Sequence, residues 1–496
     1  MKAKLTVNPH YTVARPDRML FGSFIEHIGR AVYSGIYEPG HPEADEYGFR
    51  KDVAALIKDI GVTGIRYPGG NFVSGYNWED GIGDRASRPR MTDLAWKSIE
   101  TNEVGTDEFL SYCRRIGCEP IMAVNLGTGG IKEARAIVEY CNLPGGTKYS
   151  DLRRKNGYPE PHGVKYWCLG NEMDGEWQIG HKTAAEYGRL AHETAKTMRL
   201  VDPDIKLVAC GSSSGVARTF PMWENTVLDE CYGQVDYISM HQYFSNACRD
   251  TASFIASGCV IDRYINEVIS ACDYVKAKKR SNKTMMLSFD EYNVWYHSRG
   301  EKYERFTVAP PILEDRYNVE DAVCVGGILI SLLRHCDRVK IGCLAQLVNV
   351  IAPIMTVRGG GVWKQTIYYP FRSFAGLKDS TVLHTLCESD TCSCAKFGEI
   401  PALDSVTALR DDGTAVIFAV NRSTDQPLEL DLSLEFCGYG KASHTAIYGD
   451  PEEGNSPEKP DCVTEMFVSD NPVCDGRARI TLKPLSWNVI ELSYNN

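Results

Sequence analysis

Two short stretches bring together side chains able to do acid–base chemistry. In Val164 to Met173 (VKYWCLGNEM) an apolar run stops at Gly170, and an amide, Asn171, and a carboxylic acid, Glu172, follow. In Thr284 to Trp295 (TMMLSFDEYNVW) a second apolar run, Met285 to Phe289, stops at Asp290 and Glu291, with aromatic residues behind them. Short apolar runs bounded by loop residues read as buried strands. An acid just past the last core residue lies at the strand's carboxyl end, the rim where parallel α/β folds bind ligands. Glu172 alone could simply cap the next helix. Two strands that each end in a glutamate predict paired carboxyls facing one pocket. Hydrolysis of a glycosidic bond needs such a pair, one carboxyl protonated to donate and the other ionised to attack or to activate water.

The rest of the chain must place these groups. Its 496 residues exceed a single small core and suggest two or three domains, with barrel domains running long. Hydrophobic content of 43% and charged content of 24% are those of an ordinary soluble enzyme. A net charge of −11 argues against nucleic acid or an anionic membrane as partner and leaves a neutral substrate as the easier choice. The N-terminal MKAKLTVNPH has no apolar h-region and no small-residue cleavage site, so no secretory signal is expected, and no apolar run is long enough for a membrane span. The 18 cysteines lack framework spacing and read as reduced, mostly buried small hydrophobes of a cytoplasmic protein. Cys392 and Cys394, with Cys387 nearby, could form a metal or redox cluster, but no matching pair or histidine follows at zinc spacing. No metal and no cofactor is expected.

Lys2 to Val13 alternates apolar and polar residues and predicts a lone strand that pairs far away, with the C-terminal domain. Strands are then predicted to start at residues 19, 64, 120, 164, 205, 235, 285 and 339. Helices alternate with them, including Phe49 to Ile60, Thr106 to Cys118, Lys182 to Leu200 and Val319 to His335. Eight βα units predict a (β/α)₈ TIM barrel, with Glu172 after its fourth strand and Glu291 after its seventh. The long loop from Asn71 to Glu103 carries Tyr76, Trp78 and Trp96, flat rings suited to a sugar-binding wall. From about Thr381 short alternating runs and a turn at Asp411-Asp412-Gly413 predict an all-β sandwich. The expected domains are an N-terminal strand joining the β domain (1–16), the catalytic barrel (17–378) and the β-sandwich (379–496).

These motifs resemble a known family. WCLGNEM and SFDEYNVW, preceded by IRYPGGNF and followed by LAQLVNVIAPI, are similar to the family 51 glycoside hydrolases, the intracellular α-L-arabinofuranosidases. The resemblance covers nearly the whole chain. It implies a barrel with a jelly-roll-like β domain, retaining exo-hydrolysis of α-L-arabinofuranosyl groups from arabinan, arabinoxylan or derived oligosaccharides, and a homo-oligomer, a hexamer. By motif position, Glu172 resembles the general acid/base and Glu291 the nucleophile. Asn171 would bond the sugar 2-hydroxyl, while Glu26, Asn71, Tyr243 and Gln346 match positions that hold the furanose. Trp96 and Trp295 resemble aromatic walls near the leaving group. Glu172 must be protonated while Glu291 is ionised, and the charge on Glu291 with partial burial is expected to raise the Glu172 pKa.

Each assignment has a plainer rival. Glu26 and Arg66 could form an ion pair with each other at the barrel mouth, and Arg66 otherwise belongs to the substrate site. His27 and His241 could bind a metal, although histidines on strands are more often hydrogen-bonded core or supporting groups. Gln346 could be a satisfied core amide and Trp295 packing only. Glu176 and Asp84 depart from the family pattern and flank the pocket. An endoglucanase or xylosidase would share the two acids but needs an open cleft. A metal-dependent aldolase or isomerase would want a lysine or a His-carboxylate cluster at a strand end, and the sequence shows neither. A noncatalytic sugar-binding protein would not need both acids.

Overall fold

The computed structural model describes residues 1–435 and 438–494. Strand β1 (Lys2–Ala14) precedes eight parallel strands: β2 (Gly22–Phe24), β3 (Gly64–Tyr67), β4 (Glu119–Val124), β5 (Tyr166–Leu169), β6 (Lys206–Ala209), β7 (Tyr237–Phe244), β8 (Met286–Val294) and β9 (Val339–Ala345). They close into a barrel in sequence order, β9 pairing with β2. All eight expected strands form. The first is shorter than the sequence suggests, because Asp17 accepts a hydrogen bond from the Met19 N–H and winds Arg18–Phe21 into a 3₁₀ turn.

The helices between strands follow local rules. Lys51–Ile60 buries Val53, Ile57 and Ile60 at helical spacing and ends on Gly61, whose φ of 85° is open to glycine at no steric cost. Ala184–Val201 starts in a capping box, where Glu186 takes the Thr183 N–H at 2.9 Å and Thr183 Oγ1 takes the Glu186 N–H. The helices Lys148–Lys155 and Tyr368–Ala375 are not among those the sequence predicts; each is only eight residues long, the first polar and the second mostly buried aromatics, and so short a run carries little periodic signal.

Past the barrel, strands β10 (Ser380–Ser389), β11 (Leu403–Arg410), β12 (Ala415–Asn421), β13 (Leu428–Leu434), β14 (Tyr439–Ile447), β15 (Met466–Pro472), β16 (Arg477–Leu482) and β17 (Ser486–Tyr494) join β1 in nine-stranded order β15-β14-β17-β12-β11-β10-β1-β13-β16. β1 runs antiparallel to β10 (Leu5 opposite Cys387) and parallel to β13 (Leu5 opposite Leu432). Leu5 and Val7 share one core with Leu430, Ile480, Ile417 and Ile490, so the sheet curls over and its two halves face each other. The alternate residues of β12, Val416, Phe418 and Val420, belong to the barrel's core instead. β12 is therefore buried on both faces.

The join between the two bodies is the helix Val319–Arg334, whose residues 319–333 are all buried. Gly326 meets the buried Trp487 there: a Cβ at 326 would stand 2.3 Å from the indole Cε3. Gly326→Val is expected to cost about 1–3 kcal/mol through overpacking, more than the small gain in helix propensity returns. Thermal unfolding checks this; an unchanged midpoint would show that the indole yields freely.

Candidate active site

The barrel's carboxyl end holds a cavity of about 430 Å³ lined by Glu26, Asn71, Trp96, Glu172, Tyr243, Glu291, Trp295 and Gln346, with Trp177, Ser213, Gly70, Phe24, Ile28, Leu313 and Ile351. Two of the ten sequence-predicted residues, Arg66 and Asn171, lie just beneath it and act on it through hydrogen bonds.

At the end of β5 the backbone turns at Gly170 (φ 87°), and Glu172 itself lies in the left-handed region at φ 43°. A non-glycine residue there costs on the order of 1–3 kcal/mol and persists where surrounding contacts fix it. The turn sends Asn171 down into the barrel and Glu172 up into the cavity. Glu172 Oε1 faces His241 Nδ1 at 3.0 Å, and Oε2 accepts the indole N–H of Trp177 at 2.9 Å.

Asp290 and Glu291 are consecutive in β8, where alternation should send them to opposite faces. Between the pairs Ser288–Ser239 and Glu291–His241, however, β8 uses three residues where β7 uses two. This bulge lets both acids reach the same guanidinium. Arg66 Nη1 donates to Glu291 Oε1 at 2.6 Å, and its Nε lies 3.7 Å from Asp290 Oδ2. Arg66 Nη2 also donates to Asn171 Oδ1 at 2.6 Å, leaving the Asn171 Nδ2 without a protein partner and directed beside Gly70 and Glu291. A Cβ on Gly70 would stand 3.0 Å from Glu291 Oε1, so glycine keeps that approach clear. Tyr243 donates to Glu291 Oε2 at 2.8 Å.

The Glu26–Arg66 ion pair, the plainer rival to their substrate roles, does not form. Arg66 is spent on Glu291 and Asp290, while Glu26 Oε1 accepts the Phe72 N–H at 2.8 Å and the Trp96 indole N–H at 2.9 Å. Gln346 closes the ring, its Nε2 3.3 Å from Glu26 Oε2 and its Oε1 accepting the Glu26 N–H at 3.0 Å. Burial pushes the Glu26 carboxyl up to about 8, against these two N–H donors. Trp96 sits in the turn between Met91–Asp93 and Ser98–Glu100, and Trp295 packs edge-on to Tyr243 at 5.9 Å.

The carboxyl of Glu172 is raised from its ordinary range by burial and by the charge of Glu291, and the hydrogen bond from His241 opposes the rise. Burial is the largest cause, and the expectation from sequence named the charge first. An oxygen of Glu172, one of Glu291 and a nitrogen of His241 all lie within 4.8 Å of one another, a spacing that could in principle grip a cation. The donor chemistry argues otherwise: both His241 nitrogens face carboxylates, Glu172 and Asp290, and Arg66 already neutralises Glu291. His27 lies elsewhere, between Glu100 and Tyr67 at 2.7 Å each. Cys392 and Cys394 lie in the hairpin Thr391–Cys394/Gly398–Pro401, and among the described residues no metal-binding trio includes a cysteine. Neither Glu176 nor Asp84 lines the cavity.

Trp177 went unassigned in the sequence, one place past the Glu176 that drew notice. It is 61% exposed at the cavity's rim, and an exposed tryptophan bonded to a partly buried acid is visible only once the turn is folded.

Paired glutamates at the ends of the fourth and seventh strands of a closed parallel barrel define a glycoside hydrolase. Two family models match, the α-L-arabinofuranosidase 1 domain over residues 56–257 and the α-L-arabinofuranosidase C-terminal domain over 290–486. The intracellular exo-α-(1→5)-L-arabinofuranosidase 1 of Bacillus subtilis (strain 168) is 53% identical, and the intracellular exo-α-(1→5)-L-arabinofuranosidase of Halalkalibacterium halodurans 50%, each over 99% of both chains. The solved structure of a family 51 α-L-arabinofuranosidase from Bifidobacterium longum matches with a TM-score of 0.95 at 41% identity, over 99% of both chains. This chain belongs to the family 51 α-L-arabinofuranosidases.

Proposed function

We propose that the protein removes terminal α-L-arabinofuranosyl residues from (1→5)-linked arabino-oligosaccharides by a retaining double displacement. The spacing of the two glutamates carries this reading. Their nearest oxygens come within 4.8 Å, in line with the carboxyl separation of about 5–5.5 Å that retaining enzymes use and too short to seat a water between them.

In the first step a Glu291 oxygen forms a bond to the anomeric carbon as the glycosidic C–O bond breaks. The leaving oxygen keeps that electron pair and takes the proton of Glu172. In the second step Glu172 removes a proton from water, the water oxygen bonds the anomeric carbon, and the ester bond to Glu291 breaks with its electron pair returning to the carboxylate. Arg66 and Tyr243 orient Glu291. The free Nδ2–H of Asn171, beside the nucleophile, suits a bond to the 2-hydroxyl that strengthens as charge develops. Glu26, Gln346 and Asn71 supply the polar wall for the remaining hydroxyls, with Trp96 and Trp295 as flat apolar sides. Walls on this many sides suit one terminal sugar and favour exo-action over the open cleft of an endoglucanase.

The linkage follows the names of the two relatives, and their "intracellular" supports a cytoplasmic enzyme; among the described residues no helix is long and apolar enough to cross a membrane. The hexamer that the resemblance implies is read by analytical ultracentrifugation. Activity is tested with 4-nitrophenyl α-L-arabinofuranoside, β-D-xyloside and β-D-glucoside, and with (1→5)- against (1→6)-linked arabinobiose. The arabinofuranoside and the (1→5) disaccharide are expected to be preferred, with the product's anomeric configuration retained by NMR. Preference for the glucoside would overturn the sugar assignment, and inversion would overturn the mechanism.

A further inference from the structure

Arg66, His241, Asp290, Glu172 and Glu291 meet in one connected set beneath and around the cavity. His241 Nε2 lies 3.1 Å from Asp290 Oδ1, while its Nδ1 lies 3.0 Å from Glu172 Oε1 and 3.6 Å from Glu291 Oε2. We propose that Asp290 holds His241 as an imidazolium whose Nδ1–H is shared by the two catalytic glutamates and serves whichever of them carries the negative charge. This rests on Glu172 and Glu291 being acid/base and nucleophile. Neither Asp290 nor His241 lines the sugar cavity, so both are positioning residues.

The charges balance at each stage. Before reaction Arg66 and His241 are positive, Asp290 and Glu291 negative, and Glu172 carries its proton. In the covalent intermediate Glu291 is a neutral ester and Glu172 is the carboxylate, so the negative charge has crossed the cavity while the other charges stay fixed. A donor within reach of both glutamates stabilises the anion at either end, and in a buried site such an arrangement costs no reorganisation at the moment of reaction. A neutral imidazole bonded to Asp290 through Nε2–H would offer only a lone pair at Nδ1, which could accept from protonated Glu172 before reaction but repels the Glu172 carboxylate of the covalent intermediate.

The surroundings fit a charged ring. Burial works against the imidazolium, yet the charges of Glu291 and Asp290 and the bonds to Asp290 and Glu172 outweigh it and push His241 up to about 10. Burial likewise works against the Asp290 charge, and Arg66 with His241 holds that carboxyl below its ordinary range. The remaining titratable groups stay neutral: burial raises the thiols of Cys168 (3.6 Å from Asp290 Oδ2), Cys210 and Cys343, and the phenols of Tyr243 and Tyr264.

Asp290→Asn tests the proposal, keeping the shape and removing the charge. His241 is then expected to titrate nearer its unperturbed value of about 6.5, adding a new alkaline fall in kcat/KM. Relative to wild type, the variant should be on the order of tenfold weaker at pH 8 than at pH 5.5, the ratio of one lost ionisation. A profile of wild-type shape, lowered by a constant factor, would overturn the idea and leave Asp290 a structural acid.

His241→Asn, which retains an N–H donor without charge, is the companion variant should Asp290→Asn fail to fold. Its kcat should fall on the order of 10²-fold for both half-reactions, bond cleavage read on 4-nitrophenyl α-L-arabinofuranoside and intermediate hydrolysis read on a dinitrophenyl analogue. Loss confined to one step would rule out sharing. Glu172→Gln is run beside them. If it lowers kcat/KM, which reports bond cleavage, on activated aryl substrate as much as on arabinobiose, the acid/base reading falls, and the proposal with it. If Glu172→Gln behaves as an acid/base variant while both companions miss their expected results, only the role of Asp290 and His241 is lost.

Discussion

Glu291→Ala is expected to lose on the order of 10⁴- to 10⁶-fold in kcat on 4-nitrophenyl α-L-arabinofuranoside, the scale on which removal of a covalent nucleophile acts. The loss follows from what the carboxylate does in place. It is aimed by Arg66 at 2.6 Å and Tyr243 at 2.8 Å, and Gly70 keeps its approach open. Alanine removes the attacking oxygen and leaves both donors without their acceptor. Azide added to the variant should enter the vacated space and give an arabinofuranosyl azide of inverted configuration, which no variant with a merely weakened fold would do. Residual turnover within tenfold of wild type would show that another group attacks.

Glu172→Gln should separate substrates by leaving group. On arabinobiose, whose alkoxide needs a proton to depart, kcat is expected to fall on the order of 10²- to 10⁴-fold. On a dinitrophenyl glycoside the bond-breaking step needs little help and should survive. The pH dependence carries the same signature. Burial and the charge of Glu291 raise the Glu172 carboxyl, and the protonated form is the one that can donate. First-step activity is therefore present below that raised pKa and lost as pH rises through it. The glutamine variant, unable to titrate, should show no such alkaline fall on the activated substrate. Equal loss of kcat/KM, the bond-cleavage parameter, on both substrates would count against Glu172 as the acid.

Much of this was legible in the chain because buried parallel strands leave a coarse mark, a short apolar run that stops at polar groups. Val164 to Glu172 and Met285 to Glu291 show it plainly, and their order fixed which barrel strands carry the acids. What stayed hidden depends on comparison between strands. The bulge that turns Asp290 toward Arg66 exists only relative to β7, and nothing within SFDEYNVW announces an extra residue. His241 reads as one of two strand histidines; the fold separates it from His27, which bonds Glu100 and Tyr67 away from the cavity. Glu26 and Arg66 were natural partners by charge, yet Arg66 faces a larger negative cluster across the barrel. Glu26 instead takes the N–H groups of Phe72, Trp96 and Gln346 in place of a cation.

The placement of β1 bears on how the molecule is made. Its partners are Ser389 to Val382 on one side and Glu429 to Leu434 on the other, so β1 leaves the ribosome more than 350 residues before the segments it pairs with. The eight barrel units can be gathered in turn as they emerge, each against its predecessor. Contacts that span the sequence close late and slowly. A nascent chain that has completed its barrel still carries Leu5 and Val7 on an unpaired strand. It also exposes the outer side of Val319–Arg334, which awaits Val416, Phe418 and Trp487. The fold is therefore closed only once β10 to β17 are in place.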